Sequence, residues 1–345
     1  MATIKVSVLG PSLMATAMAS LTALHAAQPD AEHLTDPLYS SGSCVHCSNS
    51  ESAATHTQDI EDSQAFIHIP ALFGPEECEM LIASLATLSP NNASVDGIYA
   101  HSRHTQSKVR TSTVRWLEKE DELFTFVYER IGEAVNKANS ESWHFGRVTA
   151  PEVIQIAEYS GSTHGHYDWH TDDDWEGSFT SASRIISVSV QLTPSVSYQG
   201  GELAIGNVNM STELGSAVIF PSYALHKVFP VMSGVRYSVV AWYHGFTSRY
   251  IWNRGAVQSY GGLLPYLPNV APLFSALAHT VRATGSKEEA HQYFEKAAEL
   301  APSDPVASFN FAESLSALDR KGEALANYHQ FVRMFPDDPA VQTAG

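Results

Sequence analysis

The residues with the clearest chemical potential lie in the segment His166-Tyr-Asp-Trp-His170-Thr-Asp172. In an extended segment, His170 and Asp172 project to the same side, so both side chains could reach one metal ion. A third ligand must come from another strand, and His226 is the candidate because it follows an apolar run ending at Pro221. Two histidines and one carboxylate on one face of Fe(II) leave three adjacent positions open. Zinc would accept the same donors, so the ligands alone do not select the metal.

A basic residue near this set favours iron. Arg236 stands ten residues after His226, and strand alternation places it on one face with Ser238 and Trp242. A fixed guanidinium beside the metal suits the distal carboxylate of 2-oxoglutarate, whose keto-acid end would chelate the ion. The Ser238 hydroxyl could donate to the same carboxylate. We therefore expect an Fe(II) site with 2-oxoglutarate as cosubstrate.

The order of these residues resembles a known enzyme family. Fe(II)/2-oxoglutarate dioxygenases of the prolyl 4-hydroxylase-like group, particularly the bacterial and phage PKHD-type hydroxylases, share the order Tyr159, His170-x-Asp172, Gly200-Gly201-Glu202, His226, Arg236-x-Ser238. The resemblance spans about residues 64–246 and includes the upstream segment Arg110-Thr-Ser-Thr-Val-Arg-Trp116. Many collagen-type prolyl hydroxylases carry lysine where Arg236 stands, so this chain is more similar to the PKHD and oxygen-sensing branches.

The resemblance implies a double-stranded β-helix in which iron is held by His170, Asp172 and His226. It implies that Arg236 holds 2-oxoglutarate, that Tyr159 hydrogen-bonds it, and that Ser238 is a weaker third contact. No catalytic residue beyond these ligands is expected. O2 is the second cosubstrate, and ascorbate is a further candidate cofactor.

The implied reaction is hydroxylation of a C–H bond, coupled to conversion of 2-oxoglutarate to succinate and CO2. The carboxylate of Asp172 favours hydroxylation, because halogenating relatives replace it with a small residue. The expected substrate is a prolyl or other amino-acid residue of a peptide or protein, and free amino acids stay open.

The predicted elements would bring these side chains together. The hydrophobic period is two in four segments, which predicts strands at Val153–Tyr159, Arg184–Leu192, Ala217–Pro221 and Arg236–Tyr243. A strand at Ala65–Pro70, a helix from Gly74 and a helix at Lys119–Ala138 precede them.

The predicted fold class is mainly β with flanking helices, a double-stranded β-helix (jelly-roll) core plus a small all-α helical-repeat tail. The predicted organisation is a flexible leader (1–62), a dioxygenase domain (63–248), a linker (249–270) and two tetratricopeptide-like repeats (271–340).

The expected tail rests on an internal repeat. Ala290, Phe294, Ala297 and Asp304-Pro305 recur 34 residues later as Ala324, Tyr328, Phe331 and Asp338-Pro339, a register that resembles tetratricopeptide repeats at 271–304 and 305–338. Two repeats are fewer than usually stand alone, so we expect them to pack on the β domain or to self-associate. A protein partner bound through these helices is one interpretation, and an ordinary helical hairpin is the other.

Composition limits the class of partner. The chain has 345 residues, 44% of them apolar, which suits a globular protein, and its net charge of −17 argues against a nucleic-acid partner or an anionic membrane. No continuously apolar window of membrane-spanning length is seen.

The uncharged N-terminal segment, residues 6–24, resembles a signal peptide but is interrupted by Gly10-Pro11, so a cytoplasmic location is favoured and secretory entry stays open. Cys44-Val-His-Cys47 has zinc-knuckle spacing without a second pair and is interpreted as solvated thiols.

Two other functions are compatible with the motifs. The first is an inactive β-helix and repeat scaffold that binds a polypeptide, which would hold no iron. The second is a metal-dependent hydrolase, which would not need Arg236.

Overall fold

The computed structural model describes residues 65–92, 109–173, 183–245, 247 and 249–336. All of these residues fall in one compact unit that extends from residue 62 to residue 338. The expected leader and the pair Cys44 and Cys47 lie outside the described residues.

The described residues form fourteen strands and seven α-helices, which we number in chain order. The strands are β1 (Ile67–Ile69), β2 (Asn91–Asn92), β3 (Arg110–Thr111), β4 (Thr113–Leu117), β5 (Val148–Pro151), β6 (Ile154–Ser160), β7 (His166–His170), β8 (Arg184–Gln191), β9 (Tyr198–Gly200), β10 (Leu203–Ile205), β11 (Val208–Asn209), β12 (Ala217–Pro221), β13 (His226–Val228) and β14 (Val231–Gly245). The helices are α1 (Pro75–Ser84), α2 (Thr125–Ala138), α3 (Arg249–Leu263), α4 (Ala271–Ala283), α5 (Lys287–Leu300), α6 (Pro305–Ala317) and α7 (Lys321–Met334).

Two antiparallel sheets make up the β core. The larger sheet has the order β1-β12-β8-β14-β6-β4-β2, with β5 and β9 also paired to β14. The smaller sheet has the order β11-β10-β13-β7-β3. The expected fold class is confirmed: the core is a jelly-roll of antiparallel sheets, and helices follow it at the C-terminal end.

Alternation along β14 determines what each of its faces contacts. Arg236, Ser238 and Trp242 line a cavity of the β core, whereas Val239 and Ala241 lie in the main hydrophobic cluster. The sequence predicts this division, because successive side chains of a strand point to opposite faces.

The observed bounds differ from the predicted ones at two elements. β14 begins at Val231 rather than Arg236, because Gly234, at φ 74°, lets the chain continue through the predicted turn and pair with Tyr198 of β9. The helix predicted from Lys119 begins at Thr125, because the Asp121 side chain accepts a hydrogen bond from the Leu123 N–H and caps a separate 3-10 turn.

The C-terminal helices follow the predicted period. α4 and α6 begin at residues 271 and 305, and α5 and α7 begin at residues 287 and 321, so both pairs are 34 residues apart. Ala290 and Ala324 are fully buried, which lets the paired helices approach closely. The identification of these helices as tetratricopeptide repeats, and the division into four segments, stay predictions. None of the helices in the described ranges is both long and apolar enough to cross a bilayer.

The segment expected as a linker, 249–270, contains α3. Its side chains Trp252 and Tyr260 are buried in the same hydrophobic cluster as Phe145 and Tyr223 of the β core. This helix therefore belongs to the core of the molecule.

Candidate active site

Three candidate ligands meet where two strands of the smaller sheet run side by side. His170 at the end of β7 is paired with His226 at the start of β13. Asp172 follows β7, and its N–H donates to the Ser222 carbonyl at 2.9 Å. The His170 Nε2 lies 3.6 Å from Asp172 Oδ1, and the His226 Nε2 lies 3.5 Å from Oδ2. One ligand atom from each residue lies within 4.8 Å of the others, so this buried group could hold one metal ion.

Hydrogen bonds to backbone carbonyls orient both imidazoles. The His170 Nδ1 lies 2.7 Å from the Asp168 carbonyl, and the His226 Nδ1 lies 2.9 Å from the Ala224 carbonyl. A carbonyl only accepts, so each Nδ1 carries the proton and each Nε2 presents a lone pair toward Asp172. Ligands held in this way need no reorientation to bind a cation.

The protonation states also suit a cation. Burial, reinforced by His226, holds the pKa of His170 well below its usual value. Burial raises the pKa of Asp172, but the neighbouring His226 and His170 outweigh it and lower that pKa to about 2. The Ser187 hydroxyl also donates to Asp172 Oδ2 at 2.7 Å. At neutral pH the site therefore offers a neutral imidazole and a carboxylate, the forms that bind a divalent ion.

The predicted anion site lies on β14. Arg236 is only 4% exposed, its Nη1 lies 3.5 Å from the Ser238 Oγ, and its Cζ lies 5.6 Å from the centre of the Tyr159 ring. Arg236 and Tyr159 are direct cross-strand neighbours. Among the described residues, no carboxylate forms an ion pair with Arg236. Leaving a buried guanidinium without a counter-charge is costly, so the geometry suits a bound anion.

One cavity connects the two groups. It is lined by all six residues singled out from the sequence, His170, Asp172, His226, Arg236, Tyr159 and Ser238. Gln155 and Trp242 also line it, and the Gln155 Nε2 and Trp242 Nε1 are buried without a hydrogen-bond partner among the residues described. The cavity therefore presents free donors to a ligand that carries acceptor atoms.

Trp242 is fixed by a charged cluster that the sequence did not reveal. The Arg184 guanidinium lies 4.2 Å from the Trp242 ring centre and donates to both Glu152 carboxylate oxygens at 2.7 and 2.9 Å. The His244 Nε2 lies 2.9 Å from the same carboxylate. An indole that packs against a guanidinium fixed in this way can offer its N–H in one direction.

Two further residues support the ligands and were also missed. The Tyr167 ring stacks on His170 with 3.4 Å between ring centres. The Arg110 guanidinium lies over the Tyr167 ring, 4.6 Å from its centre. Ser187 bonds Asp172 from the middle of β8. A serine or tyrosine inside a strand carries no spacing signal, so only the folded structure assigns these contacts.

Comparison with known proteins gives a match over part of the chain. The family model of the 2OG-Fe(II) oxygenase superfamily matches residues 154–244, which include all six residues named above. A PKHD-type hydroxylase of Alteromonas mediterranea is 40% identical over 67 residues, which is 18% of this chain and 30% of that protein. A PKHD-type hydroxylase of Colwellia psychrerythraea is 32% identical over 123 residues, 34% of this chain and 55% of that protein. The chain thus spans about half or less of the length of these relatives.

Solved structures with a similar arrangement include two prolyl hydroxylases. The viral collagen prolyl hydroxylase of Paramecium bursaria Chlorella virus-1 has a TM-score of 0.41 at 20% identity and covers 53% of this chain and 97% of that one. The prolyl-4-hydroxylase of Pseudomonas putida has a TM-score of 0.41 at 16% identity and covers 53% of this chain and 93% of that one.

Proposed function

We propose that this protein is an Fe(II)- and 2-oxoglutarate-dependent dioxygenase that hydroxylates a C–H bond. The observation that carries the proposal is the pairing, across one cavity, of a His-Asp-His group with a buried arginine to which the described residues give no carboxylate partner. A metal-dependent hydrolase needs the His-Asp-His group but does not need the buried arginine. The match of residues 154–244 to the 2OG-Fe(II) oxygenase superfamily supports the same reading.

Each residue then has a role. His170, Asp172 and His226 would hold Fe(II), and a set of only three protein ligands would leave the ion accessible to cosubstrate and O2. Arg236 would bind the distal carboxylate of 2-oxoglutarate, with Ser238 and Tyr159 as further donors. When bound, iron with 2-oxoglutarate and O2 supplies oxidative decarboxylation to succinate and CO2, coupled to hydroxylation of the substrate.

For the substrate we propose a prolyl or other amino-acid residue of a peptide or protein. The Nε1 of Trp242 and the Nε2 of Gln155, which have no partner in the part of the chain that the structure describes, suit the carbonyl oxygens of a polypeptide. The net charge of −17 favours a neutral or basic substrate over an acidic one. Ascorbate is proposed as an accessory reductant on the resemblance alone.

The metal site is tested by replacing its ligands. His170→Ala and Asp172→Ala should each reduce succinate formation at least about 100-fold in the presence of Fe(II), 2-oxoglutarate and peptide substrates, because an open site needs all three ligands. His166→Ala is the matched control, since His166 lies on the same strand outside the ligand group and should retain activity. Unchanged turnover in the ligand variants would refute the assignment.

The cosubstrate site separates the rival functions. Arg236→Ala should raise the KM for 2-oxoglutarate about tenfold or more, since a buried charge-assisted pair is lost, while Arg236→Lys should recover part of the binding. A hydrolase would retain its rate in Arg236→Ala. A scaffold would show no bound iron and no succinate in the unaltered protein.

A further inference from the structure

Helix α3 contacts the chain on which the metal ligands are carried. Trp252 donates a hydrogen bond to the carboxylate of Asp173, the immediate neighbour of Asp172, and the Thr171 hydroxyl donates to the same carboxylate. Asp173 is thereby tied to both the ligand segment and the helix. A displacement of Trp252 would be passed to Asp172 through one peptide unit.

The second contact reaches the turn between β12 and β13. The Tyr260 hydroxyl donates to the Tyr223 carbonyl at 2.7 Å, and both residues are buried. The neighbours of Tyr223 in this turn serve two of the ligands. The Ser222 carbonyl accepts the Asp172 N–H at 2.9 Å, and the Ala224 carbonyl lies 2.9 Å from the His226 Nδ1.

Packing leaves little freedom between the helix and this turn. The Trp252 and Tyr223 rings meet edge to face with 4.8 Å between their centres. At Gly255, a Cβ would lie 2.5 Å from the Tyr223 hydroxyl oxygen, so the helix backbone approaches the ring closely enough to require glycine. The helix therefore supports the turn through direct contact as well as through hydrogen bonds.

We propose that α3 is a positioning element for the metal site: Trp252 fixes the segment that carries Asp172, and Tyr260 fixes the turn that orients Asp172 and His226. The inference rests on the proposed function, because it takes the His-Asp-His group as a metal site. Groups that orient metal ligands typically contribute about 10–100-fold to metal affinity. A helix beyond the β core thus determines the geometry of a site to which it contributes no ligand.

Conservative variants test the proposal by metal binding. Trp252→Phe removes the indole N–H and keeps an aromatic ring, and Tyr260→Phe removes only the hydroxyl. Each should raise the Kd for Co2+, measured by titration calorimetry and by the d–d absorption spectrum, about tenfold. The absorption bands should also shift, since the ligand geometry changes.

Tyr128→Phe is the matched control. Its hydroxyl is buried, donates to the Leu117 carbonyl of β4 at 2.6 Å, as Tyr260 donates to a carbonyl, and also accepts from the Ile154 N–H of β6 at 3.1 Å. Tyr128→Phe should lower the thermal midpoint of unfolding at least as much as Tyr260→Phe, because two backbone groups lose their partner, while only Tyr260→Phe weakens Co2+ binding.

The outcomes separate this inference from the function on which it rests. If the unaltered protein binds Co2+ and both α3 variants bind it within twofold of the same Kd, the positioning role is refuted. If the unaltered protein binds no divalent ion, the proposed function fails first. Should Trp252→Phe not fold, Tyr260→Phe carries the test by itself.

Discussion

At the scale of single residues, Glu152 is the carboxylate around which the surroundings of Trp242 are organised. Arg184 donates to both of its oxygens, and His244 approaches one of them. Burial raises the pKa of Glu152, but the hydrogen bonds from His244 and Arg184 outweigh it and lower the pKa from 4.5 to about 2. The ionised form of the Glu152 carboxylate is therefore more stable in the folded protein than in the unfolded chain.

This shift predicts an acid-sensitive part of the stability. A group whose pKa is lower in the folded state stabilises fully above its unfolded pKa, near 4.5, and the contribution disappears as the pH falls toward about 2. Between pH 5 and pH 3, Glu152 should account for a loss of about 2 kcal/mol in the free energy of unfolding. Denaturant unfolding of Glu152→Gln should show a correspondingly smaller loss over that range.

Glu299→Gln serves as the control for that series. Glu299 forms an exposed ion pair with Lys296 at 3.1 Å, a class of contact that contributes little to stability. We expect Glu299→Gln to lose stability with acid as steeply as the unaltered protein does. The prediction is wrong if Glu152→Gln loses stability just as steeply.

The residues that the sequence predicted and those it missed differ in how they are encoded. His170 and Asp172 are two positions apart, and Arg236 and Ser238 are two positions apart, so strand alternation alone places each pair on one face. Glu152 and Arg184 are 32 positions apart, and no local pattern connects them. Their contact exists only because β5 and β8 both pair with β14.

At the scale of elements, β14 carries the proposed anion site, and the turn before β10 packs against that strand. Gly201 adopts φ 72°, a region that side chains other than glycine rarely occupy. A Cβ at Gly201 would lie 2.7 Å from the Val231 Cγ2 and 3.2 Å from the Arg236 Cδ. The Gly200-Gly201 pair noted in the sequence therefore makes room for Arg236.

Gly201→Ala should weaken cosubstrate binding as well as stability. The added methyl group displaces Arg236, so the Kd for 2-oxoglutarate in the metal-loaded protein should rise about tenfold, and backbone strain should cost about 1–3 kcal/mol. Titration calorimetry measures the first effect and denaturant unfolding the second.

Gly285→Ala isolates the backbone effect. Gly285 adopts φ 100°, yet a Cβ there would have nothing within 4 Å. This variant should lose stability through strain alone and should keep its affinity for 2-oxoglutarate. Equal cosubstrate affinities in the two glycine variants would contradict the role given to Gly201.

At the scale of the whole molecule, α3 is a helix that local sequence patterns do not indicate. Gly255, Gly261 and Gly262 each lower helix propensity, which works against a helix in this segment. Burial of Trp252 and Tyr260 against the β core outweighs that local preference, because most helical stability in proteins comes from tertiary packing. The 34-residue period of the later helices, by contrast, was readable because it recurs along the chain.

A chain shortened after Thr247 should therefore fold poorly. Removing α3 and all that follows exposes Phe145 and Tyr223, which pack on Trp252 with ring centres 5.6 and 4.8 Å away. Burial of the two α3 aromatic side chains contributes about 3–6 kcal/mol, a large part of the 5–15 kcal/mol that typically stabilises a domain.

A chain shortened after Leu300 is the control, because it keeps α3, α4 and α5 and should unfold cooperatively. Near-ultraviolet circular dichroism and thermal unfolding of the two chains test whether the β core needs α3. A cooperative transition at an unchanged temperature in the chain shortened after Thr247 would show that the β core folds without this helix.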